Sequence, residues 1–278
     1  MDGQVWFITG TSTGFGRAIA EEVLAQGGRV IATARDVRSL QSLTAKYPER
    51  AKAVTLDVTE PAQITAAVAH GRAAFGRIDV LVNNAGYGLV GALEEVTDEQ
   101  LRVNIETNFI GPLNVMRAVL PVIREQRKGH FVTISAVAAF HNEMGFSVYG
   151  GSKAALEAAT EAVAAEGVLF GLKATVVEPG PFKTEFIANG LERAAHKIPD
   201  YAGTSGKFLG FLEKINGNQP GDPVLAAKAI IQAVNAPKPP RRLILGKYAY
   251  DRVRRRLDAI SKEMSEWESL GLNTDFPA

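Results

Sequence analysis

Short apolar runs separated by segments of helix length form the dominant pattern of this 278-residue chain. The runs are rich in β-branched residues and nearly continuous, as in strands that are buried on both faces. Such strands need helices on both sides of their sheet, so the order of the segments predicts an α/β fold with a doubly wound parallel sheet. Seven runs fit the pattern: 5–9, 29–34, 53–56, 78–82, 130–134, 173–177 and 242–245.

The segments between these runs have the spacing and the end signals of helices. Gly27-Gly28 gives a C-terminal stop, and Thr59-Glu60-Pro61 gives an N-terminal start. We expect a single domain over 1–246 and a charged, helical C-terminal extension over 247–278. The interleaved charges of the extension favour a solvated helix face over binding to a membrane surface. Helices are predicted over 14–27, 60–75, 98–120, 150–168, 223–235 and 247–268.

The regular pattern stops near Thr184. Residues 185–223 are rich in Gly, Asn, Pro and aromatic residues and carry no strong strand signal. The segment is too apolar for a disordered linker, so we interpret it as a mobile lid that folds over a site.

Composition excludes several classes of function. Lys and Arg number 31 against 30 Asp and Glu, so no excess positive charge is present to bind nucleic acid. Cysteine is absent, which excludes disulfides, thiolate metal sites and cysteine nucleophiles. The four histidines have no metal-ligand spacing, and no apolar run reaches the ~18 residues of a membrane helix. With no signal peptide at the N-terminus, we expect a cytoplasmic protein that binds neither metal, membrane nor nucleic acid.

A glycine-rich turn joins the first strand to the first helix. Glycines there permit a tight bend and a close approach of the backbone to a ligand, and the N–H groups of the helix N-terminus attract a phosphate. The spacing, G-x-x-x-G-x-G, differs from the commoner G-x-G-x-x-G, but its position after a strand makes it a strong signal for a dinucleotide. The residues expected to contact the cofactor are Gly10, Thr11, Ser12, Thr13, Gly14, Phe15 and Gly16.

The end of the second strand indicates which dinucleotide is preferred. A carboxylate at this place would bind the ribose hydroxyls of NAD, but the chain has Ala34 and then Arg35, whose guanidinium suits the 2′-phosphate of NADP. We interpret Asp36 as the N-cap of the next helix and Arg38 as a possible aid to Arg35. Thr13 is weak counter-evidence, because NADP-binding loops often carry a basic residue there. The prediction is NADP (NADPH), with NAD as the alternative.

With these features the sequence resembles the short-chain dehydrogenase/reductase family over nearly its whole length, and therefore the Rossmann fold. The resemblance rests on several motifs in the expected order and spacing: the glycine loop, Asp57-Val58, Asn83-Asn84-Ala85-Gly86, Asn108, Tyr149-Gly150-Gly151-Ser152-Lys153 and Glu178-Pro179-Gly180-Pro181-Phe182-Lys183-Thr184.

The resemblance implies further roles. Asp57 would touch the adenine, with Val58 beside it, and Pro179, Gly180 and Thr184 would flank the nicotinamide. The residues implied to line the adenosine side and brace the sheet are Asn83, Asn84, Ala85 and Gly86. The family also implies a homodimer or homotetramer, with helices around 98–120 and 150–168 in the interface.

Tyr149 and Lys153 are four residues apart and therefore share one helix face. Tyrosine has an ordinary pKa of ~10 and is a poor acid–base catalyst at neutral pH. A nearby ammonium and an oxidised nicotinamide would lower this pKa, so Tyr149 could exchange a proton with a carbonyl or alcohol oxygen. By resemblance, Lys153 also binds the nicotinamide ribose, and Asn108 holds a water that connects Lys153 to solvent. Asn104 is a competing candidate.

The chain departs from the family at one catalytic position. Thirteen residues before the tyrosine the family carries a serine that orients the substrate oxygen, and this chain has Ala136. Three explanations are open: a Ser→Ala change that leaves folding and cofactor binding intact, a local bulge that lets Ser135 substitute, or recruitment of another donor such as His141 or Asn142. We prefer the first.

The expected substrate wall, 138–146 with Tyr87, 89–90 and 185–212, is mostly apolar and aromatic. We therefore predict an NADPH-dependent carbonyl reductase or alcohol dehydrogenase for a lipophilic ketone, aldehyde or secondary alcohol. The expected substrate contacts are Ala136, His141 and Phe146. Ala136 also supports an alternative, a catalytically weakened NADP-binding protein that senses the cofactor or binds a partner.

Overall fold

The computed structural model describes residues 3–276, and its main element is a seven-stranded parallel sheet. The strands are β1 Val5–Ile8, β2 Arg29–Ala34, β3 Ala51–Thr55, β4 Val80–Asn83, β5 Gly88–Val90, β6 Gly129–Ile134, β7 Leu172–Pro179, β8 Leu191–Arg193 and β9 Arg242–Leu245. The α-helices are α1 Gly14–Ala25, α2 Gln41–Lys46, α3 Pro61–Phe75, α4 Asp98–Ile105, α5 Gly111–Gln126, α6 Val137–Phe140, α7 Ser147–Glu166, α8 Phe186–Asn189, α9 Ser205–Ile215, α10 Pro223–Val234 and α11 Lys247–Leu272.

The strand order of the sheet is β3-β2-β1-β4-β6-β7-β9. The order reverses direction between β1 and β4, and this reversal is the switch point of a doubly wound fold. The seven apolar runs of the sequence are these seven strands, with ends shifted by up to two residues. The predicted fold class is therefore confirmed.

Apolar layers cover both faces of the sheet. On one face Ile19 and Val23 of α1 pack with Ile230 of α10, and on the other Val119 of α5 packs with Leu156 of α7. All five side chains are at most 1% exposed. Burial on both faces is the physical reason why the strand sequences are continuous rather than alternating.

The segment 185–223, hereafter the lid segment, contains more regular structure than its sequence indicates. It holds α8, β8 and α9, and β8 pairs in parallel with β5 in a separate two-stranded sheet. Each of these two strands has only three residues, which is too short for a periodic signal. Phe208 of α9 meets Phe146 edge-on, with ring centroids 4.9 Å apart, so the segment lies against the body of the fold.

Arg242 of β9 joins three carboxylates across the edge of the sheet. Its guanidinium lies 2.6 Å from Glu157 and Glu161 of α7 and 2.6 Å from Glu178 of β7. Glu157 and Glu178 are nearly fully buried. Because buried charges need partners, this cluster fixes α7 against the sheet.

Residues 3–276 contain neither a membrane-spanning helix nor a candidate metal-ion cluster. No helix there combines the length and the apolar character needed to cross a bilayer. No group of three or more His, Cys, Asp or Glu side chains there is arranged to hold a metal ion.

Replacement of Arg242 by methionine should destabilise the fold by about 2–3 kcal/mol at neutral pH, because it leaves two buried carboxylates unpaired while Arg242 itself is partly exposed. Burial raises the pKa of Glu157, and loss of the guanidinium should raise it further. The deficit should therefore shrink as pH falls and Glu157 takes up a proton. Urea unfolding at about pH 7 and about pH 5 measures this. The control is Arg241→Met, at the exposed neighbouring residue. An equal loss of stability in both variants, or a loss in Arg242→Met that does not change with pH, would contradict the assignment.

Candidate active site

The carboxyl ends of the central strands open into one cavity of about 820 Å³. Ligands of open α/β sheets bind at this edge, where the strand order reverses. One end of the cavity is formed by the glycine-rich turn, and the other end by the lid segment. Tyr149 and Lys153 lie between the two ends.

The glycine-rich turn has the form of an anion cradle. Gly10 and Gly14 adopt positive φ angles of 68° and 60°, which side chains disfavour. The N-cap residue of α1, Thr13, makes no side-chain capping bond, so the first N–H groups of the helix are not satisfied by it. These groups fit a dinucleotide diphosphate.

The seven residues predicted for this turn separate into two groups. Five line the cavity: Gly10, Ser12, Thr13, Gly14 and Phe15. Thr11 lies behind the turn, where its hydroxyl donates to the carbonyls of Ile8 and Thr33 and the side chain is fully buried. A Cβ on Gly16 would overlap the Gly10 carbonyl oxygen. Thr11 and Gly16 therefore shape the turn rather than line the cavity.

The adenosine side of the cavity contains Arg35, Asp57 and Val58. Asp36 N-caps the 3-10 helix Val37–Leu40 by accepting from the Arg38 backbone, as expected. The Arg38 guanidinium also pairs with Asp36, at 2.9 Å. Of Arg35 and Arg38, Arg35 is thus the arginine that lines the cavity.

Asn84 braces the turn from the neighbouring strand. Its amide donates to the carbonyls of Thr9 and Gly10, both at 2.9 Å, and its backbone N–H donates to the Thr9 hydroxyl. Ala85 and Gly86 continue the wall. A Cβ on Gly86 would lie 2.8 Å from Asn108 Oδ1 and 3.4 Å from Lys153 Nζ, so only glycine permits this approach.

The candidate catalytic pair, Tyr149 and Lys153, lies on α7, with both side chains buried. Lys153 Nζ donates to the Ile134 carbonyl at 2.9 Å, and burial lowers the pKa of this lysine to about 8. Burial raises the pKa of Tyr149 above its ordinary value. The sequence led us to expect a lowered tyrosine pKa in the presence of an ammonium and an oxidised cofactor. In the protein alone, desolvation dominates instead.

Asn108 lies in a π-helical turn, Glu106–Ile110, between α4 and α5, where the sequence predicted one continuous helix. Its side chain accepts from the Tyr87 N–H at 3.0 Å and donates to the Tyr87 carbonyl at 2.8 Å. It also donates to Asn104 Oδ1 at 3.1 Å. The two candidate asparagines therefore belong to one hydrogen-bonded group, and π turns of this kind occur mostly at functional sites.

Ser135 and Ala136 both line the cavity, but their side chains have different partners. The Ser135 hydroxyl donates to Glu157 at 2.5 Å and is buried with it. The pairing of β6 with β7 is continuous up to Ile134, and the Ser135 N–H donates to the Val177 carbonyl, so no bulge turns Ser135 towards the substrate. Ala136 lines the cavity and packs in the same cluster as Tyr149.

The predicted substrate contacts differ in their placement. Phe146 lines the cavity, with its ring centroid 4.9 Å from that of Tyr149. His141 is not among the lining residues and lies instead 3.5 Å from Arg252 of α11. Its burial and that arginine lower the pKa of His141. The structure therefore does not bring His141 to the substrate, because α6 ends before it and turns it towards α11.

Tyr248 and Gln219 line the cavity and were missed by the sequence analysis. Tyr248 of α11 donates to Glu143 at 3.1 Å, and Arg252 pairs with the same carboxylate. Gln219, in the lid segment, is 6% exposed, and within residues 3–276 neither its Oε1 nor its Nε2 has a hydrogen-bond partner. No local pattern marks these residues, since distant segments bring them to the cavity.

The lid end of the cavity is mostly apolar, and Glu185, Asn189 and Glu192 are polar residues that also line it. Buried and half-buried side chains from four regions form one cluster there: Val90, Ala136, Ala138, Phe146, Tyr149, Phe186, Ile187, Leu191, Phe208, Leu209, Leu212 and Ile215. The cavity thus joins a polar cradle suited to a dinucleotide and an apolar chamber, with an acid–base side chain at their junction. Such a cavity fits a dinucleotide and an apolar molecule bound side by side.

Comparison with known proteins gives the family. The family model described as short chain dehydrogenase matches residues 4–194, and the chain belongs to the short-chain dehydrogenase/reductase family. A crystal structure of a short-chain dehydrogenase from Streptomyces avermitilis is 43% identical, covers 98% of both chains and superposes with a TM-score of 0.92.

Two curated relatives are similar over most of their length. Oxidoreductase BOA17 of Botryotinia fuckeliana is 36% identical, over 97% of this chain and 98% of its own. The 3-ketodihydrosphingosine reductase of Bacteroides thetaiotaomicron is 34% identical, over 88% of this chain and 89% of its own. Members of the family use NAD or NADP.

Replacement of Gly10 by alanine should weaken NADPH binding by more than about tenfold, because the added Cβ would lie 2.9 Å from Ala85 Cα and distort the cradle. Gly76→Ala is the matched control. Gly76 has a φ of 75° but nothing within 4 Å of an added Cβ. Gly76→Ala therefore bears the same cost of a side chain at positive φ, about 1 kcal/mol, without the overlap. Fluorescence titration with NADPH, alongside thermal unfolding, separates the effects. Equal NADPH affinity in both variants would refute the cradle.

Proposed function

We propose that this protein is an NADPH-dependent carbonyl reductase for lipophilic ketones or aldehydes, which oxidises secondary alcohols in the reverse direction. The observation that carries the proposal is the position of Tyr149 and Lys153, at the junction between the dinucleotide cradle and the apolar chamber of a single cavity. An oxidoreductase must hold its cofactor and its substrate side by side at such a point.

The side chains present support reduction in the following way. The bound nicotinamide would supply a hydride to the carbonyl carbon, and Tyr149 would donate its hydroxyl proton to the carbonyl oxygen. Burial raises the pKa of Tyr149, so the hydroxyl carries its proton at neutral pH but is a weaker acid than free tyrosine, and catalysis would need this pKa lowered. Lys153, with its pKa of about 8, remains largely an ammonium at neutral pH and would favour the tyrosinate left behind. Asn108 would then help to return a proton to Tyr149.

The apolar chamber supports a lipophilic substrate. Phe146, Phe208 and Leu212 cover the tyrosine from the lid side, where a sugar or a phosphate would lose its hydration without compensation. One relative is named as a 3-ketodihydrosphingosine reductase, an enzyme that acts on a keto group. This supports the carbonyl as the reacting group.

Ala136 supports a second candidate function. Without the family's serine hydroxyl, a substrate oxygen has one fewer donor, and loss of such a donor costs ~10²–10³ in rate. A weakened enzyme of this kind could serve as an NADP-binding sensor or partner-binding protein.

We further propose a cytoplasmic homodimer or homotetramer, in which the helices of 98–120 and 150–168 form the interface, and a domain boundary between 1–246 and 247–278.

The Ala136→Ser variant should raise kcat for lipophilic ketones by up to ~10²-fold, because it restores an oxyanion donor beside Tyr149. Ser135→Ala should lose stability through Glu157 but keep its turnover to within about threefold, because its hydroxyl does not face the substrate. NADPH oxidation with a panel of ketones and aldehydes measures both, and Tyr149→Phe sets the background. The assignment fails if Ser135→Ala falls to the Tyr149→Phe level while Ala136→Ser gains nothing. Tight NADPH binding without turnover in any form would favour the sensor.

Arg35→Ala should raise the Kd for NADPH by about 10–100-fold and leave that for NADH unchanged, since one charge-assisted contact to the 2′-phosphate is lost. Arg38→Ala is the control, because the Arg38 guanidinium is already paired with Asp36. Calorimetric titration with both dinucleotides gives the four constants. Equal weakening of NADH and NADPH binding in Arg35→Ala would contradict the NADP preference.

A further inference from the structure

Helix α11 extends well beyond the domain on which it begins. Its 26 residues give a length of about 39 Å. It packs against α6 and β9, and its buried residues are Ala249 and Val253, both in its first two turns. From Arg254 onward nearly every residue is exposed. The second half of the helix therefore has no packing within residues 3–276 to stabilise it.

An apolar stripe runs along this second half. Leu257, Ile260, Met264 and Trp267 follow at intervals of three, four and three residues, which is the a/d spacing of a helix that packs against another helix. Leu257, Met264 and Trp267 are 52%, 67% and 65% exposed. Val253, one interval earlier on the same stripe, is buried in the domain. The stripe thus continues the helix face that packs on the domain, but it has no packing partner of its own within residues 3–276.

The charges of the helix are divided between its two halves. Residues 247–258 hold five cations and two carboxylates, whereas residues 259–272 hold one cation and three carboxylates. Two such helices side by side and parallel would place like charges together. In the antiparallel arrangement each basic half meets an acidic half.

We propose that α11 pairs antiparallel with α11 of a second copy of this chain, through the stripe of Leu257, Ile260, Met264 and Trp267. The a/d spacing sets the register: Leu257 lies opposite the partner's Trp267, and Ile260 opposite the partner's Met264. In that register Arg254 and Arg256 lie near the partner's Glu268. The contact is isologous and closes on two copies, as a two-fold axis requires. It is separate from the interface expected around 98–120 and 150–168.

An anionic membrane is a poorer partner for the stripe. Basic residues would favour its surface, but Glu263, Glu266 and Glu268 lie in the half that carries Met264 and Trp267. A second copy satisfies the apolar stripe and both charged halves at once.

Engineered cysteines test the pairing without background, since the chain has no cysteine of its own. The double variant Leu257→Cys/Trp267→Cys should form a disulfide-linked dimer on mild oxidation, about tenfold more than either single variant, because the pairing holds unlike positions together. Within one helix the two positions lie about 15 Å apart, too far for an internal disulfide. Lys262→Cys/Ser269→Cys, on the opposite face, is the matched control. Non-reducing electrophoresis gives the yields.

Each outcome decides the proposal. A homodimer of Leu257→Cys alone, at the yield of the double variant, would mean parallel pairing and overturn it. Equal yields from the stripe and control pairs would mean random collision and overturn it as well. Light scattering gives a second readout: Met264→Glu/Trp267→Glu should halve the mass of the native assembly and leave turnover unchanged, since neither residue lines the cavity. An unchanged mass would contradict the pairing.

Discussion

Helix α7, which carries Tyr149 and Lys153, depends on one buried carboxylate for its position. Glu157 of α7 accepts the Ser135 hydroxyl at 2.5 Å from the end of β6 and pairs with Arg242 of β9 at 2.6 Å. One turn earlier on the same helix, Lys153 donates to the carbonyl of Ile134. Two polar contacts on successive turns thus fix α7 to the carboxyl end of the sheet. Because charged groups at low exposure are costly when unpaired, this arrangement has few alternatives.

The same constraint explains how the two adjacent residues after β6 differ. Both residues line the cavity, but the Ser135 hydroxyl is bonded to Glu157, so Ala136 is the one whose side chain packs in the apolar cluster with Tyr149. The chamber is consequently apolar up to the tyrosine. A substrate oxygen there would depend on Tyr149 for its hydrogen bond. The same alanine that makes the chamber apolar, and so favours the lipophilic substrate that we propose, would thus make the chemical step slow.

The sequence predicted what local patterns encode and missed what long-range packing decides. Continuous β-branched runs identified all seven strands of the main sheet, and Asp36 was recognised as a cap from its position before a helix. The π turn at Asn108 was missed, because one extra residue in a helical turn leaves the apolar spacing almost unchanged. Tyr248 and Gln219 reach the cavity from distant segments, which no local pattern indicates. His141 is turned away from the cavity at the end of α6, a helix of four residues that is too short to give a periodic signal.

The central claim is that hydride passes from NADPH to a lipophilic carbonyl beside Tyr149, and isotope transfer tests it most directly. The protein would be incubated with a lipophilic ketone and NADPH deuterated at C4, separately on each face. The account predicts an alcohol with deuterium at its carbinol carbon from one face only, and no labelled alcohol from Tyr149→Phe. An unlabelled product from both faces, or equal labelling in Tyr149→Phe, would contradict it.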